Sequence, residues 1–231
     1  MYNNSIIRKD QRLRMKIDLH VHTAEISGCS NVSAEDAVRL YAEAGYDAIV
    51  LTNHYANYNK HRFSSAGLDF MTEYEKCYRK AQKAGDQYGV RVLCGYELRF
   101  NQNDNDYLVY GMTFETARDC DRIFAMTPRE FSAFAAERGI LFYQAHPFRN
   151  HMTVVNPSYL FGIEVRNGNP RHDSRNDIAI AWATRFSLHK IAGSDFHQVE
   201  DVGCSGIITQ TDVESMEDLV EILKKDAYRI I

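Results

Sequence analysis

The chain has 231 residues, of which 45% are hydrophobic and 25% are charged; this composition is typical of a soluble globular protein and excludes a wholly disordered one. The formal net charge of -4 disfavours long nucleic acid as a partner, because proteins that bind it usually carry a basic face. The apolar stretches are shorter than the roughly 20 residues that span a bilayer, and the five cysteines are scattered without a CxxC pair, so a reducing, cytoplasmic compartment is expected.

Residues 1–14 predict a polar N-terminal tail, since they lack the apolar core of a secretory signal. From residue 15 onwards, strand-like and helix-like segments alternate. The strand-like segments lie at 16–21, 47–52, 90–100, 106–114, 141–146, 162–167, 190–195, 205–211 and 228–231. The helix-like segments lie at 31–46, 69–89, 127–139, 175–186 and 215–226.

Local signals support these helices. Ser33 is a predicted N-cap with Asp36 in the capping-box position, and Pro128 occupies a first helical turn. Residues 53–67 are long and polar, which predicts a loop. There is no internal repeat or interdomain linker, so the alternation predicts one mainly parallel α/β domain over residues 15–231, closed or nearly closed.

Residue types that bind metals follow five of the strand-like segments at the point where each ends. They are His20 and His22, His54, Glu97, His146, and Asp195 with His197. Each alone has an ordinary explanation, such as an exposed histidine or a solvated glutamate, but their recurrence would require five coincidences. Because α/β folds gather catalytic groups at one end of the sheet or barrel, the pattern predicts a metal site there.

His20 and His22 flank one residue of a strand, so their side chains point to the same face. Two imidazoles on one face bind one metal ion, although a hydrogen-bonded pair of core histidines is the alternative. A carboxylate such as Glu97 among histidines bridges two cations about 3.5–4 Å apart, the separation used for displacement at phosphorus.

The order HxH, strand-end His, strand-end Glu, His-Pro and Asp-x-His, from about Lys16 to about Gly206, resembles the PHP (polymerase and histidinol phosphatase) family. The resemblance implies a distorted (β/α)7 TIM-like barrel forming a single domain. It also implies hydrolysis of phosphate esters at a centre of two or three manganese, zinc or iron ions. Amidohydrolases also open with HxH, but they lack this Glu and this closing Asp-x-His.

The family pattern places four residues around a first metal: His20, His22, Glu97 and Asp195. Glu97 would bridge to a second metal that also uses His146. A third metal would use His54 and His197. Glu97, Asp195 and His197 are the residues that the resemblance implies in catalysis.

Two departures from the family pattern concern the metal ligands. Family members often carry a further ligand a few residues after HxH, where this chain offers Glu25 or Cys29. Many also have a histidine near the strand after the Glu motif, where Asp106 is the available oxygen ligand. A centre of two metals is therefore better supported than one of three.

Arg149 lies two residues after the His146–Pro147 pair and is the first candidate for holding a substrate phosphate, since the planar guanidinium donates two hydrogen bonds to such a group. Weaker candidates are Lys60, His61, Arg62 and Arg171. A solvated surface charge is the alternative for each of them.

The sequence thus predicts a metal-dependent phosphoesterase that acts on a small phosphomonoester, such as a nucleotide or a phosphorylated metabolite. A metal-bound hydroxide would attack phosphorus, and His197 or metal-bound water would protonate the leaving oxygen. Histidinol phosphatase and 3′-to-5′ exonuclease on short oligonucleotides are alternatives. A non-catalytic metal-binding regulatory module and an amidohydrolase-type deaminase or lactonase are alternatives of other classes.

Overall fold

The computed structural model describes residues 15–231, so the tail expected over residues 1–14 lies outside the described residues. Within this range the strands are β1 (Met15–Val21), β2 (Ala48–Leu51), β3 (His54–Ala56), β4 (Arg91–Cys94), β5 (Tyr96–Arg99), β6 (Asp106–Tyr110), β7 (Leu141–Gln144), β8 (Gly162–Asn167), β9 (His189–Gly193), β10 (Ile207–Thr209) and β11 (Tyr228–Ile230). The helices are α1 (Ala34–Glu43), α2 (Asn57–Ser65), α3 (Phe70–Tyr88), α4 (Phe114–Ala117), α5 (Cys120–Ala125), α6 (Pro128–Arg138), α7 (Asn176–Phe186) and α8 (Met216–Lys224). None of these helices is both long and apolar enough to cross a membrane.

Capping residues set the helix ends as the sequence predicts. The Ser33 side chain accepts a hydrogen bond from the backbone N–H of Asp36 at the start of α1. Thr127 and Glu130 form a reciprocal capping box before α6, and Pro128 occupies the first position of that helix. The predicted helix boundaries at these two places are confirmed.

The predicted loop over residues 53–67 is wrong, because this stretch contains β3 and α2. The α2 helix has one buried residue, Asn59, and its remaining positions are polar or partly exposed. A helix without an apolar stripe leaves no periodic signal. The Asn59 side-chain amide donates to the backbone oxygen of His54 at 2.9 Å, so a polar contact fixes the start of this helix against β3.

The strands form two sheets, in the orders β11-β10-β1-β2-β4 and β3-β5-β6-β7-β8-β9. The α/β class is confirmed, and five of the nine strand pairings among the described residues are parallel, but four are antiparallel and the sheets are mixed. The β6 strand runs antiparallel to both of its neighbours, since the short turn at residues 100–105 folds it back on β5 as a hairpin. The β10 and β11 strands add two antiparallel pairings at the other edge. One closed barrel is not confirmed, because the strands divide between two sheets.

The two sheets adjoin where the metal-ligand types lie. Just beyond β9, Phe196 forms a parallel bridge with Val21 of β1. The backbone N–H of Phe196 donates to the oxygen of His20 at 3.2 Å, and that of His22 donates to the oxygen of Phe196 at 3.0 Å. A Cβ atom at Gly193 would lie 2.3 Å from the Cβ of His20, so glycine permits this close approach of the ends of β1 and β9.

Candidate metal centre

A register shift in β1 aims its two histidines. Asp18 pairs with Ile49 and Val21 with Leu51, so β1 places one extra residue between the same points on the ladder. Such a bulge changes which face the following side chains occupy. Ile17 and Leu19 pack in one apolar cluster and Val21 in another. His20 and His22 turn together towards the start of β5 and the ends of β7 and β9.

Five buried residues converge at this edge and are called the inner cluster. They are His20, His22, Glu97, His146 and Asp195, each no more than 3% exposed. The Nε2 atom of His20 lies 3.1 Å from Oε1 of Glu97 and 3.4 Å from Oδ1 of Asp195. The Nε2 atom of His22 lies 3.4 Å from both carboxylates. The Nε2 atom of His146 lies 3.2 Å from Oε1 of Glu97.

These separations fit a shared cation. Donor atoms about 2.0–2.2 Å from a divalent ion lie about 3–3.5 Å from one another. Among the described residues, the ring atoms Nε2 of His20, Nε2 of His22 and Nδ1 of His146 are buried without a hydrogen-bond partner. The Oε2 atom of Glu97 lies 2.6 Å from Nδ1 of His54. Buried polar atoms are ordinarily satisfied, so the orphaned atoms indicate a site that suits a bound metal ion.

Charge compensation holds the inner cluster together. Burial acts to lower the pKa of His20, but the carboxylates of Asp195, Glu164 and Glu97 outweigh it and hold that pKa well above its ordinary value. Burial acts to raise the pKa of Glu97, yet His54, His20 and His22 hold it well below the usual range. The site therefore presents ionised carboxylate at neutral pH, the form that binds a cation.

Backbone strain is concentrated at two inner-cluster residues. Asp195 has a φ of 53° and His146 a φ of 27°, both in the region that L-residues seldom occupy. Such conformations cost of order 1–3 kcal/mol and persist where the surroundings enforce them. Here the strain turns two side chains at the ends of β9 and β7 towards the same point.

A second group lies nearer to solvent and is called the outer cluster: Cys29, His54 and His197. The Sγ atom of Cys29 lies 3.2 Å from Nε2 of His54 and 3.1 Å from Nε2 of His197. The ring of His22 stacks on His197 and tilts against His54, with centroids 4.2 Å and 4.5 Å away. His22 therefore connects the two clusters.

Electrostatics in the outer cluster favour a thiolate. Burial acts to raise the pKa of Cys29, but hydrogen bonds with His197 and His54 outweigh it and lower that pKa to about 6. The pKa of His54 is raised to about 10, because the charges of Glu97 and Cys29 outweigh the effect of its burial. In the inner cluster, burial and the neighbouring charges of His197 and His54 instead hold the pKa of His22 well below its ordinary value.

The PHP-associated family model matches residues 173–228. This match over part of the chain supports the predicted resemblance to the PHP family. No sequence among the curated proteins matches the chain. Among solved structures, a two-domain protein from Bacteroides vulgatus described as containing a predicted PHP-like metal-dependent phosphoesterase aligns with a TM-score of 0.62 and 19% identity, over 94% of this chain and 64% of that one.

Two further solved structures share the fold. An amidohydrolase from Chromobacterium violaceum with bound sulfate aligns at a TM-score of 0.55 and 14% identity, over 94% of this chain and 97% of that one. Endonuclease Q in complex with a 27-mer duplex carrying an abasic lesion aligns at 0.60 and 16% identity, over 92% of this chain and 57% of that one. The chain spans less than two thirds of two of the three structures compared, and at these identities the likeness is one of fold.

Glu25, one of the two residues considered after HxH, lies outside both clusters. Its carboxylate accepts from the backbone N–H of Ala34 at 2.9 Å and pairs with Lys80. Asp106 lies with His54 and Glu97 in a group able to hold a metal. Arg99 nevertheless engages both Asp106 oxygens at 2.7 Å, so this carboxylate already has a strong partner.

Arg149 contacts the inner cluster directly. Its Nη2 atom donates to Oδ2 of Asp195 at 2.8 Å, to Asn167 at 2.9 Å and to Ser174 at 3.1 Å. Its Nε atom is buried and has no hydrogen-bond partner among residues 15–231. The side chain therefore keeps a free donor beside the metal-ligand types, as a phosphate-binding arginine requires.

The weaker phosphate candidates have other partners or face solvent. Lys60 pairs with the exposed Asp121, and Arg62 donates to a backbone oxygen. His61 is exposed on α2.

Arg171 forms a two-point pair with the fully buried Asp201. Asp201 in turn accepts from the backbone N–H of His197 at 2.8 Å, so Arg171 supports the turn that carries His197.

Sequence reasoning missed Glu164, a fully buried carboxylate in the middle of β8. Its Oε1 atom accepts from Nδ1 of His20 at 2.9 Å, and Oε2 accepts from the backbone N–H of His146 at 2.9 Å and from Asn167 at 3.0 Å. A carboxylate on the outer nitrogen of a ligating histidine fixes its tautomer and directs the other nitrogen to the metal. The signal available was a charged residue between Ile163 and Val165 in an otherwise apolar strand.

Asp18 was missed for the same reason. Its Oδ1 atom accepts from the backbone N–H groups of His20 and Ser194, both at 3.0 Å, and its Oδ2 atom accepts from the Tyr41 hydroxyl at 2.7 Å. Burial raises the pKa of this carboxyl to about 6. Asp18 thus ties the bulge of β1 to the turn that carries Asp195.

Ser27 supports the ring of His22. The two side chains meet at 3.0 Å through Nδ1 of the histidine, and the serine hydroxyl donates to the Asn53 side chain at 2.9 Å. This contact leaves Nε2 of His22 directed at the clusters.

Proposed function

We propose that this chain is a metal-dependent phosphoesterase that hydrolyses a small phosphomonoester. The observation that carries the proposal is the convergence of three histidines and two carboxylates in the inner cluster, with buried donor atoms that lack partners. A guanidinium with a free donor lies against the same carboxylates. This combination suits a phosphoryl group held between cations and an arginine.

The inner cluster offers two groups of ligands. His20, His22 and Asp195 form one, and His20, Glu97 and His146 form another. Glu97 directs Oε1 to His20 and His146 and Oε2 towards His22, which suits a carboxylate shared by two cations. Divalent ions bound there would supply Lewis acidity and lower the pKa of bound water.

The chain's own residues position the ester and its charges. Arg149 would orient the phosphoryl oxygens through its Nε atom while Asp195 holds the same guanidinium at Nη2. The 16% exposure of the Arg149 side chain allows access while excluding most water. His197 is 12% exposed, and its Nε2 atom serves either as a proton donor to the leaving oxygen or as a metal ligand, since one nitrogen cannot do both.

A small substrate is preferred over a long nucleic acid. The net charge is -4, and duplex binding depends on neutralising many phosphates with basic side chains. Endonuclease Q acts on a duplex, so a short oligonucleotide is the second candidate, and histidinol phosphate is a third. The proposed setting is the cytoplasm, where thiols stay reduced; all five cysteines are free.

We also propose that the two sheets act as one distorted (β/α)7 barrel. The Val21–Phe196 bridge joins the ends of β1 and β9, and β2 and β4 lead within three residues into β3 and β5 of the other sheet. A barrel would explain why ligand types from five strand ends meet at one point.

Release of inorganic phosphate tests the proposed function. The metal-depleted full-length protein would be loaded with manganese or zinc and offered nucleotides, sugar phosphates, histidinol phosphate and short oligonucleotides. Turnover that disappears in Asp195→Ala and survives in Asp121→Ala, an exposed aspartate away from the centre, would support the proposal. Bound metal without phosphate release from any compound would overturn it in favour of a non-catalytic metal module, or of hydrolysis at carbon if a deaminase or lactonase substrate turns over.

A further inference from the structure

The outer cluster places a thiol where two imidazoles meet. Cys29 lies 3.2 Å and 3.1 Å from Nε2 of His54 and His197. Backbone hydrogen bonds hold its loop against the His197 turn, since the N–H of Asn31 donates to the oxygen of His197 at 3.0 Å, and the Ser30 hydroxyl donates to the same oxygen at 3.1 Å. Cys29 is the cysteine classed as exposed among the five, so a cation can reach it from solvent.

The buried imidazole of His22 borders this group. His22 is fully buried, and its Nε2 atom has no hydrogen bond within the described residues. Its ligand atom lies within 4.8 Å of those of His54 and His197. A thiol and imidazole nitrogens this close together form a donor set that suits a divalent metal ion.

We propose that the outer cluster is a mixed thiolate–imidazole site that selects zinc over manganese and magnesium through Cys29. This proposal rests on the proposed function only in assuming that the centre binds metal, and it adds the ligand that decides the metal. Thiolate is a soft donor that suits zinc, whereas manganese and magnesium favour oxygen ligands. Binding converts the Cys29 thiol and the zinc ion into a zinc–thiolate bond and releases any thiol proton to solvent.

The outer cluster also leaves one coordination position of a bound zinc ion open. Cys29, His54 and His197 provide three protein donors, and zinc sites with three protein ligands keep a position for water or substrate. The inner cluster contains only nitrogen and oxygen donors. The two clusters therefore differ in donor type, and we infer that they load with different metals when both are offered.

Cobalt(II) reports directly on the thiolate. The metal-depleted full-length protein would be titrated with Co²⁺, and the sulfur-to-cobalt charge-transfer absorption would be recorded. We expect the band in the wild type and in the matched control Cys204→Ser, and its loss in Cys29→Ser. Cobalt d–d absorption that persists in Cys29→Ser would show that this variant is folded and that the inner cluster still binds.

Competition tests selectivity. Zn²⁺ added at one equivalent per metal site should abolish the charge-transfer band, while a hundredfold excess of Mn²⁺ should leave it. A band that survives in Cys29→Ser, cobalt binding to the wild type without the band, or displacement by Mn²⁺ as readily as by Zn²⁺ would overturn the proposal. These readouts do not use turnover, so failure of the phosphoesterase proposal would appear separately, as absent phosphate release with the cobalt band intact.

Discussion

The inner and outer clusters lie side by side, joined by the ring of His22, yet they differ in burial and in the types of side chain they contain. The inner cluster is at most 3% exposed, and its carboxylates and histidines leave several donor atoms without partners. The outer cluster is reached by solvent, and its thiol lies within hydrogen-bond distance of both imidazoles. Buried charge is costly unless it is compensated. The inner cluster is therefore the part whose arrangement most depends on a bound cation, and the outer one is better able to exist without it.

The largest effect should come from breaking the inner cluster. Glu97→Gln keeps the size of the side chain and removes the charge that two ligand groups share. We expect phosphate release to fall by more than about 100-fold, since residues that merely orient metal ligands already contribute 10–100-fold. The measurement is kcat/KM at saturating metal, with Glu115→Gln on the exposed first turn of α4 as the matched control. Activity within a few-fold of the wild type would contradict the role given to Glu97.

Glu164→Gln tests the support beneath the inner cluster. Glutamine is uncharged, so its hydrogen bonds with His20, His146 and Asn167 are weaker or lost. The tautomer and tilt of the His20 ring are then less well fixed. We expect metal affinity to fall by about 10–100-fold, measured by competition with a chelating dye. Unchanged affinity in a folded variant would show that Glu164 does not orient the ligand.

The pH dependence of alkylation sharpens the contrast at the outer cluster. The pKa of Cys29 is lowered to about 6. In metal-depleted protein Cys29 is therefore mostly thiolate above that pH, and it becomes the thiol as the pH falls below the pKa. At pH 7 its thiolate fraction should be about 30 times that of an ordinary cysteine with a pKa near 8.5. Iodoacetamide labelling followed by mass spectrometry gives the profile. Cys77, whose pKa burial raises to about 12, is the internal comparison, and a Cys29 midpoint near pH 8.5 would refute the expectation.

The smallest effect on phosphate release should come from a substitution on α2, the helix that follows His54 and β3. Lys60 pairs with Asp121, whose side chain is 80% exposed, and exposed ion pairs contribute about 0–1 kcal/mol to stability. We expect Lys60→Ala to change kcat/KM for phosphate release by less than about twofold. A tenfold rise in KM would instead place Lys60 on the substrate phosphate, as one interpretation of the sequence allowed.

The sequence predicted the residues that end strands better than those that lie inside them. His20, His22 and Asp195 stand out because strand ends in α/β folds gather at one edge, a rule that needs no coordinates. Glu164 and Asp18 sit within apolar runs, where a carboxylate becomes meaningful only when its buried partners on other strands are known. Contacts that span so much of the chain leave no local signal.

In the fold, too, features set by nearby residues could be predicted and those set by distant contacts could not. The capping residues of α1 and α6 act within one turn, so their positions could be read from the sequence. The α2 helix has a polar surface and depends on its place beside β3, and the antiparallel course of β6 depends on a hairpin turn. The bulge that orients the histidines of β1 depends on the register between β1 and β2. The alternation of apolar and polar residues along one strand does not specify that register.

The most direct test of the central claim is the metal content of the purified full-length protein. After exhaustive dialysis, inductively coupled plasma mass spectrometry would count metal ions per chain in the wild type and in His22→Ala. This substitution removes the inner-cluster ring that contacts the outer cluster. We expect at least two divalent ions per wild-type chain and the loss of at least one in the variant. A folded wild-type protein that retains no metal, and takes up none when manganese or zinc is supplied, would contradict the account.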